Sequence, residues 1–291
     1  MHGSAAAENF STIIFLHMPK CGGTTVHRIL ERQYPSDVIF TTDGARPSES
    51  TRQFAAMPQA SRYDFRLIRG HMPFGVHRFA RPPVTYCTIL RDPVERMISL
   101  YHYVLREPSH HLHHDVSGSR MAFDDFVSSN LSEALSNAMT TKLTVDPFAR
   151  VPVTGSPNES LERAKTVLNE HFTVVGLVER FDETLILMSK SFGWKRPYYA
   201  RMNVTRNRPA GSEVSPNALA IIRERNTLDL ALYEYVACRL QHEIERLGIP
   251  FARRLCWFKL QNRLWQGLSL ALRLMRRGVQ RFHFLNNSIQ G

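Results

Sequence analysis

An apolar run from Ile13 to Leu16 breaks into Pro19-Lys20-Cys21-Gly22-Gly23, and a pattern of helical period starts at Thr24. The run is short, apolar and bounded by turn residues, which predicts a buried strand within residues 11–18. A helix is predicted over 24–34, with Val26, Ile29 and Leu30 on one face and Arg28, Glu31 and Arg32 on the other. A strand that turns on glycine into a helix aims the helix's first N–H groups at one point. Those groups have no partner within the helix and carry partial positive charge, so an anionic group fits there. Lys20 adds a full charge, and Thr24 and Thr25 add hydroxyl donors. Taken alone, the stretch also reads as an ordinary turn with a surface lysine.

The rest of the chain alternates in the same way. Strands are predicted at 65–70, 84–90 and 172–178. Helices are predicted near 50–56, from 93 past Leu105, and over 123–139, 161–170, 184–192 and 215–247. Asp92 supplies an N-cap and Pro93 the first helical position. Gly248 and Pro250 are expected to end the last of these helices. Loops are expected at 35–62, 107–120, 147–157 and 193–216. Strands separated by helices give an α/β fold, with a mainly parallel central sheet flanked by helices. Ligands of such sheets sit beyond the C-terminal ends of the strands. The Lys20 loop, His71 and Arg91 each follow a strand end.

Charge divides the chain unevenly. The formal net charge is +11, and residues 246–291 hold nine of the basic residues and no acidic one. Setting those nine aside leaves +2 for the body. This argues against nucleic acid as the partner of the whole protein and separates a domain over 1–250 from a basic amphipathic helical tail over 251–291. Cys21, Cys87, Cys238 and Cys256 are widely spaced, which fits a reducing compartment and offers no zinc ribbon. No apolar run reaches membrane-spanning length. The expected location is cytoplasmic or peripheral on a membrane, and the Golgi lumen only if an N-terminal anchor precedes this sequence.

The first loop is not a Walker A motif, in which the lysine follows the glycines. A second anion site is expected at Arg91-Asp92-Pro93-Val94-Glu95-Arg96, with Ser99 two helical turns further on. A guanidinium there can grip phosphate oxygens in pairs, although Arg-Asp-Pro at a helix start is by itself more often a cap. Two anion sites at separate strand ends suggest a ligand with two separated phosphates.

Together the two segments resemble the motifs of sulfotransferases that use 3′-phosphoadenosine 5′-phosphosulfate (PAPS). Pro19 to Thr25 resembles their 5′-phosphosulfate loop. Arg91 to Arg96, with Ser99 and Tyr101, resembles their 3′-phosphate motif. The versions here look like the carbohydrate branch, particularly the heparan sulfate and uronyl 2-O-sulfotransferases, and the resemblance runs from about residue 13 to 247. It includes Arg69-Gly70-His71 and the stretch from Val174 to Phe181. It implies the P-loop-NTPase-like sulfotransferase fold, with PAPS as donor and no metal requirement. It implies that Pro19, Lys20, Cys21, Gly22, Gly23, Thr24 and Thr25 hold the 5′-phosphosulfate and that Arg91 and Ser99 hold the 3′-phosphate. His71 would be the catalytic base, and Lys20 would stabilise developing charge. Cys21 stands where threonine is usual. The basic loop containing Asn203, Arg206, Asn207 and Arg208 would close over the nucleotide. The implied acceptor is a hydroxylated glycan or glycolipid.

Two other readings compete. One is a kinase using the same cradle, against which the lysine-first order argues. The other is a basic membrane- or nucleic-acid-binding protein. The run His110, His111, His113 and His114 reads better as an acceptor-side loop than as a zinc site. The tail, with Trp257, Leu264, Trp265 and Leu268 among arginines, suits an anionic membrane surface, the body, or another subunit of a homo-oligomer equally well.

Overall fold

The computed structural model describes residues 11–146, 148, 156–200 and 214–287, with side chains omitted at 268 and 270–287. Five strands form one parallel sheet: β1 Thr12–Leu16, β2 Ile39–Thr41, β3 Leu67–Gly70, β4 Val84–Leu90 and β5 Phe172–Leu177, in the order β2-β3-β1-β4-β5. β1 pairs with β3 from Ile13 opposite Leu67 to Leu16 opposite Gly70. On its other side it pairs with β4, Phe15 opposite Cys87. Both neighbours run parallel to it, so β1 is buried on every side and its five residues need no polar face.

The helices are α1 Gly23–Leu30, α2 Pro47–Ala56, α3 Gln59–Tyr63, α4 Pro93–Arg106, α5 Phe123–Ser128, α6 Ala138–Thr144, α7 Pro157–His171, α8 Phe181–Phe192, α9 Pro216–Arg225 and α10 Thr227–Asn287. Their starts follow capping chemistry. The Asp92 carboxylate accepts from Glu95 N at 2.9 Å with Pro93 in the first turn, as the sequence predicts. Ser156 and Glu159 form a reciprocal capping box at α7.

Two expectations change. The 35–62 loop contains an edge strand, β2, which is only three residues long and only partly buried. The helix expected over 123–139 is two short helices, α5 and α6, with a 3₁₀ turn at Glu133–Leu135 between them. The expected stop at Gly248 and Pro250 holds: Gly248 takes φ 58°, ψ −147°, outside the helical region, so α10 is two helices joined across a kink there. Residues 251–262 still pack on the body, with Phe251, Phe258 and Asn262 buried.

The separation of α6 from α5 has a physical cause. Asn137, in left-handed backbone at φ 45°, accepts from Leu228 N and Asp229 N through Oδ1. In return the buried Asp229 carboxylate accepts from Met139 N, Thr140 N and Thr140 Oγ1 at 2.8–3.0 Å. The starts of α6 and α10 thus cap each other. A negative carboxylate at a helix start suits the exposed N–H groups, and this clasp fixes where Lys142 of α6 stands.

Candidate active site

The three strand ends named from the sequence belong to adjacent strands. β3, β1 and β4 are neighbours in the centre of the sheet, so His71, the Lys20 loop and Arg91 share one rim.

The loop after β1 is shaped by what lies against it. Gly22 has φ 76°, and a Cβ there would come within 3.3 Å of the Phe181 ring. A Cβ on Gly23 would lie 1.7 Å from His17 Nε2. Glycine at 23 is thus a packing requirement: the His17 imidazole occupies the space beside the helix start. Thr25 N and Val26 N donate back to Gly22 O, so the helix ladder begins there and the first-turn N–H groups ahead of it precede any intrahelical partner. Lys20 itself holds φ 68°, and its Nζ stands 3.5 Å from the centroid of the Tyr103 ring. Burial and then the charges of Arg106 and Arg91 pull the Lys20 ammonium down to about 8. Crowded, partly desolvated cations of this kind favour an anion between them.

Arg91 ties two loops together. One guanidinium nitrogen donates to Lys20 O at 3.1 Å and another lies 3.4 Å from Glu95 Oε2, while the buried Nε has no partner. The Asp92 N–H donates to Glu179 at the end of β5, which extends the rim to a fourth strand. Ser99 lies half-buried on α4. Thr24 is exposed and Thr25 half-buried. Pro19 spends its carbonyl on the Cys21 thiol.

Cys21 differs from the expectation. Its side chain is 1% exposed, its Sγ turns to Pro19 O, and its N–H donates to Met18 O. Burial pushes its thiol up to about 12. Cys21 packs beneath the loop with its thiol and its N–H both committed within the loop. Arg208, with Asn203, Arg206 and Asn207, lies outside the described residues.

His71 sits in a cluster that the sequence did not reveal. Its ring stacks on His17 with centroids 4.1 Å apart, and His27 meets His17 at 5.1 Å. His71 Nδ1 lies 3.1 Å from His17 O. A carbonyl only accepts, so Nδ1 carries the proton and Nε2 keeps its lone pair. Burial first, and then the Lys142 charge, hold His71 down to about 4. Burial, then Arg69 and His71, do the same to His27. His17 lies well below its usual value, through burial and then its two histidine neighbours. Lys142 is itself drawn down to about 8 by burial. No local signal in the sequence brings Lys142 to His71, because the Asn137–Asp229 clasp does so from far along the chain.

These depressed values make stability pH-dependent. The unfolded chain takes protons on its imidazoles near 6.5, whereas the folded cluster resists them down to about 4. The unfolded state therefore binds more protons in between, so stability rises with pH across that window and is lost as pH falls from about 6.5 towards 4. Urea melts at pH 7 and pH 4.5 are expected to show a lower midpoint at pH 4.5, with part of the difference removed in His27→Gln. An unchanged difference in that variant would remove His27 from the account.

Two histidines of the run after α4 use Nδ1 on the backbone. His113 Nδ1 donates to Val104 O at 2.7 Å, and His110 Nδ1 accepts from Leu112 N. Among the described residues, no group of three histidine, cysteine, aspartate or glutamate side chains is placed to hold a metal ion.

Residues 3–256 match the model of a family described as galactose-3-O-sulfotransferase. The uronyl 2-sulfotransferase of Mus musculus is 24% identical over 270 residues, covering 82% of this chain and 64% of its own length. That of Homo sapiens is 24% identical over 257 residues, covering 78% of this chain and 61% of its own. The chain thus spans less than two thirds of the length of these curated relatives. A mouse sulfotransferase solved in complex with PAP is similar at 16% identity and a TM-score of 0.32, over 74% of this chain and 63% of that one.

Proposed function

We propose that this chain, which belongs to the galactose-3-O-sulfotransferase family, moves a sulfuryl group from PAPS to a hydroxyl of a carbohydrate acceptor. The observation that carries this reading is the convergence of a helix start, two cations and a neutral histidine on one rim. Lys20, Arg91 and the α1 start come from β1 and β4, and His71 comes from β3 between β1 and the sheet edge. The unpartnered buried Nε of Arg91 and the crowding of Lys20 suit a doubly phosphorylated ligand.

The donor supplies an activated sulfuryl group whose leaving group, adenosine 3′,5′-bisphosphate, is stable. His71 Nε2 takes the acceptor's hydroxyl proton. The acceptor oxygen bonds to sulfur as the bond from sulfur to the bridging 5′-phosphate oxygen breaks, and the electron pair stays on that oxygen. Lys20 and the α1 N–H groups stabilise the charge gathering there. Lys142 disfavours the imidazolium in the resting enzyme, and a bound sulfuryl anion offsets that field and raises His71 towards a working range. The family name and the two uronyl 2-sulfotransferase relatives support a glycan acceptor, with galactose- and uronate-containing sugars as the classes to try first.

Transfer of label from radioactive PAPS to a panel of galactose-terminated glycans, uronate-containing glycans, glycolipids and simple phenols tests the reading. Labelled sugar with no labelled phenol is expected. Transfer to phenols alone would overturn the acceptor assignment.

A further inference from the structure

The kink at Gly248 separates two uses of α10. Beyond it, Phe251, Phe258 and Asn262 face the body. The Phe258 ring lies 5.7 Å from that of Tyr198, and Asn262 Oδ1 accepts from Tyr199 N at 2.7 Å. On the opposite side, Trp257 is 61% exposed, Leu260 49% and Leu264 57%. At 3.6 residues per turn these three fall within about 60° of one another, roughly half a turn from the packed face. Exposed Arg253 lies in the same row, with exposed Arg254 and Arg263 along its flanks. Trp265 belongs to neither face, since it packs beside Arg32 and Tyr198.

A single exposed leucine needs no explanation, but a row of large apolar side chains on a helix already anchored by its other face does. Charge identifies its partner. From residue 246 to 291 there are nine arginines and lysines and no acidic residue. A second copy laid on this face would set two wholly cationic segments side by side, which is repulsive. A nucleic acid would satisfy the arginines and leave the tryptophan and leucines in water. An anionic lipid surface satisfies both, with headgroups at the flanks and acyl chains along the row. Among the described residues no helix is long and apolar enough to cross a membrane, so the fit is to a helix lying in the interface.

We propose that the outward face of residues 253–264 docks the protein on a membrane surface rich in anionic phospholipid. This surface is independent of the transfer chemistry. The test compares the full chain with a triple variant, Trp257→Glu, Leu260→Glu and Leu264→Glu. All three side chains are in solvent, so the variant's melting temperature should match that of the wild type, and this is measured alongside. Vesicles of phosphatidylcholine alone, and of phosphatidylcholine mixed equally with phosphatidylglycerol, are sedimented with each protein. Wild type is expected to pellet with the mixed vesicles only, and the triple variant to partition about tenfold or more weakly. Equal pelleting of both proteins, or wild type left in the supernatant, would overturn the proposal. So would a lipid-free wild-type dimer that the variant converts to monomer in sedimentation velocity, since that would assign the face to a second copy.

Discussion

Replacing His71 by alanine is expected to lower turnover by about a hundredfold or more, the range typical of losing a general base, while leaving the affinity for adenosine 3′,5′-bisphosphate near that of the wild type. The split follows from geometry. His71 follows β3, whereas the groups proposed to hold the phosphates follow β1 and β4. Its Nδ1 is committed to His17 O, so only Nε2 is free to act on an acceptor. His71→Asn offers a useful second variant, because it can keep a donor towards that carbonyl while removing the basic nitrogen. Both variants should lose turnover alike. If His71→Asn retained near-normal turnover, the histidine would be holding the loop and not moving a proton.

The second large effect is expected at Arg91. Arg91→Ala should weaken the bisphosphate by roughly ten- to a hundredfold, since a hydrogen bond to a charged group contributes about 1.5–3 kcal/mol and each 1.4 kcal/mol is tenfold. More tellingly, it should abolish the preference for the 3′,5′-bisphosphate over adenosine 5′-monophosphate, which lacks the 3′-phosphate. Arg91 also supports Lys20 O, so a loss confined to loop support would weaken both nucleotides equally. Competition titrations of the two nucleotides against wild type and variant distinguish these cases. A variant that still prefers the bisphosphate would place the 3′-phosphate elsewhere.

Much of this frame is legible in the sequence because it is local. Ile13 to Leu16 is apolar throughout because β1 has neighbours on both sides, and Asp92-Pro93 opens α4 because a carboxylate and a missing N–H suit the first turn. The features that sequence reading misses are those fixed over distance. β2 has three residues of mixed exposure, too few to show a period. α6 starts where it does because Asp229, some ninety residues on, caps it, and Lys142 reaches the histidine cluster by that route. Gly22 and Gly23 read as an anion turn, yet the side chains that require glycine there are Phe181 and His17. Cys21 reads as part of a ligand loop by position alone, and burial decides against its side chain.

The central claim is that this rim is built for two phosphates on one adenosine. Isothermal titration calorimetry of the full chain with adenosine 3′,5′-bisphosphate, adenosine 5′-monophosphate, ATP with magnesium, and duplex DNA measures it directly. The account predicts that the bisphosphate binds at least about tenfold more tightly than any of the others, the factor that one charged contact supplies. Binding of ATP as tightly as the bisphosphate, or tighter, would contradict it and return the cradle to a phosphoryl-transfer enzyme.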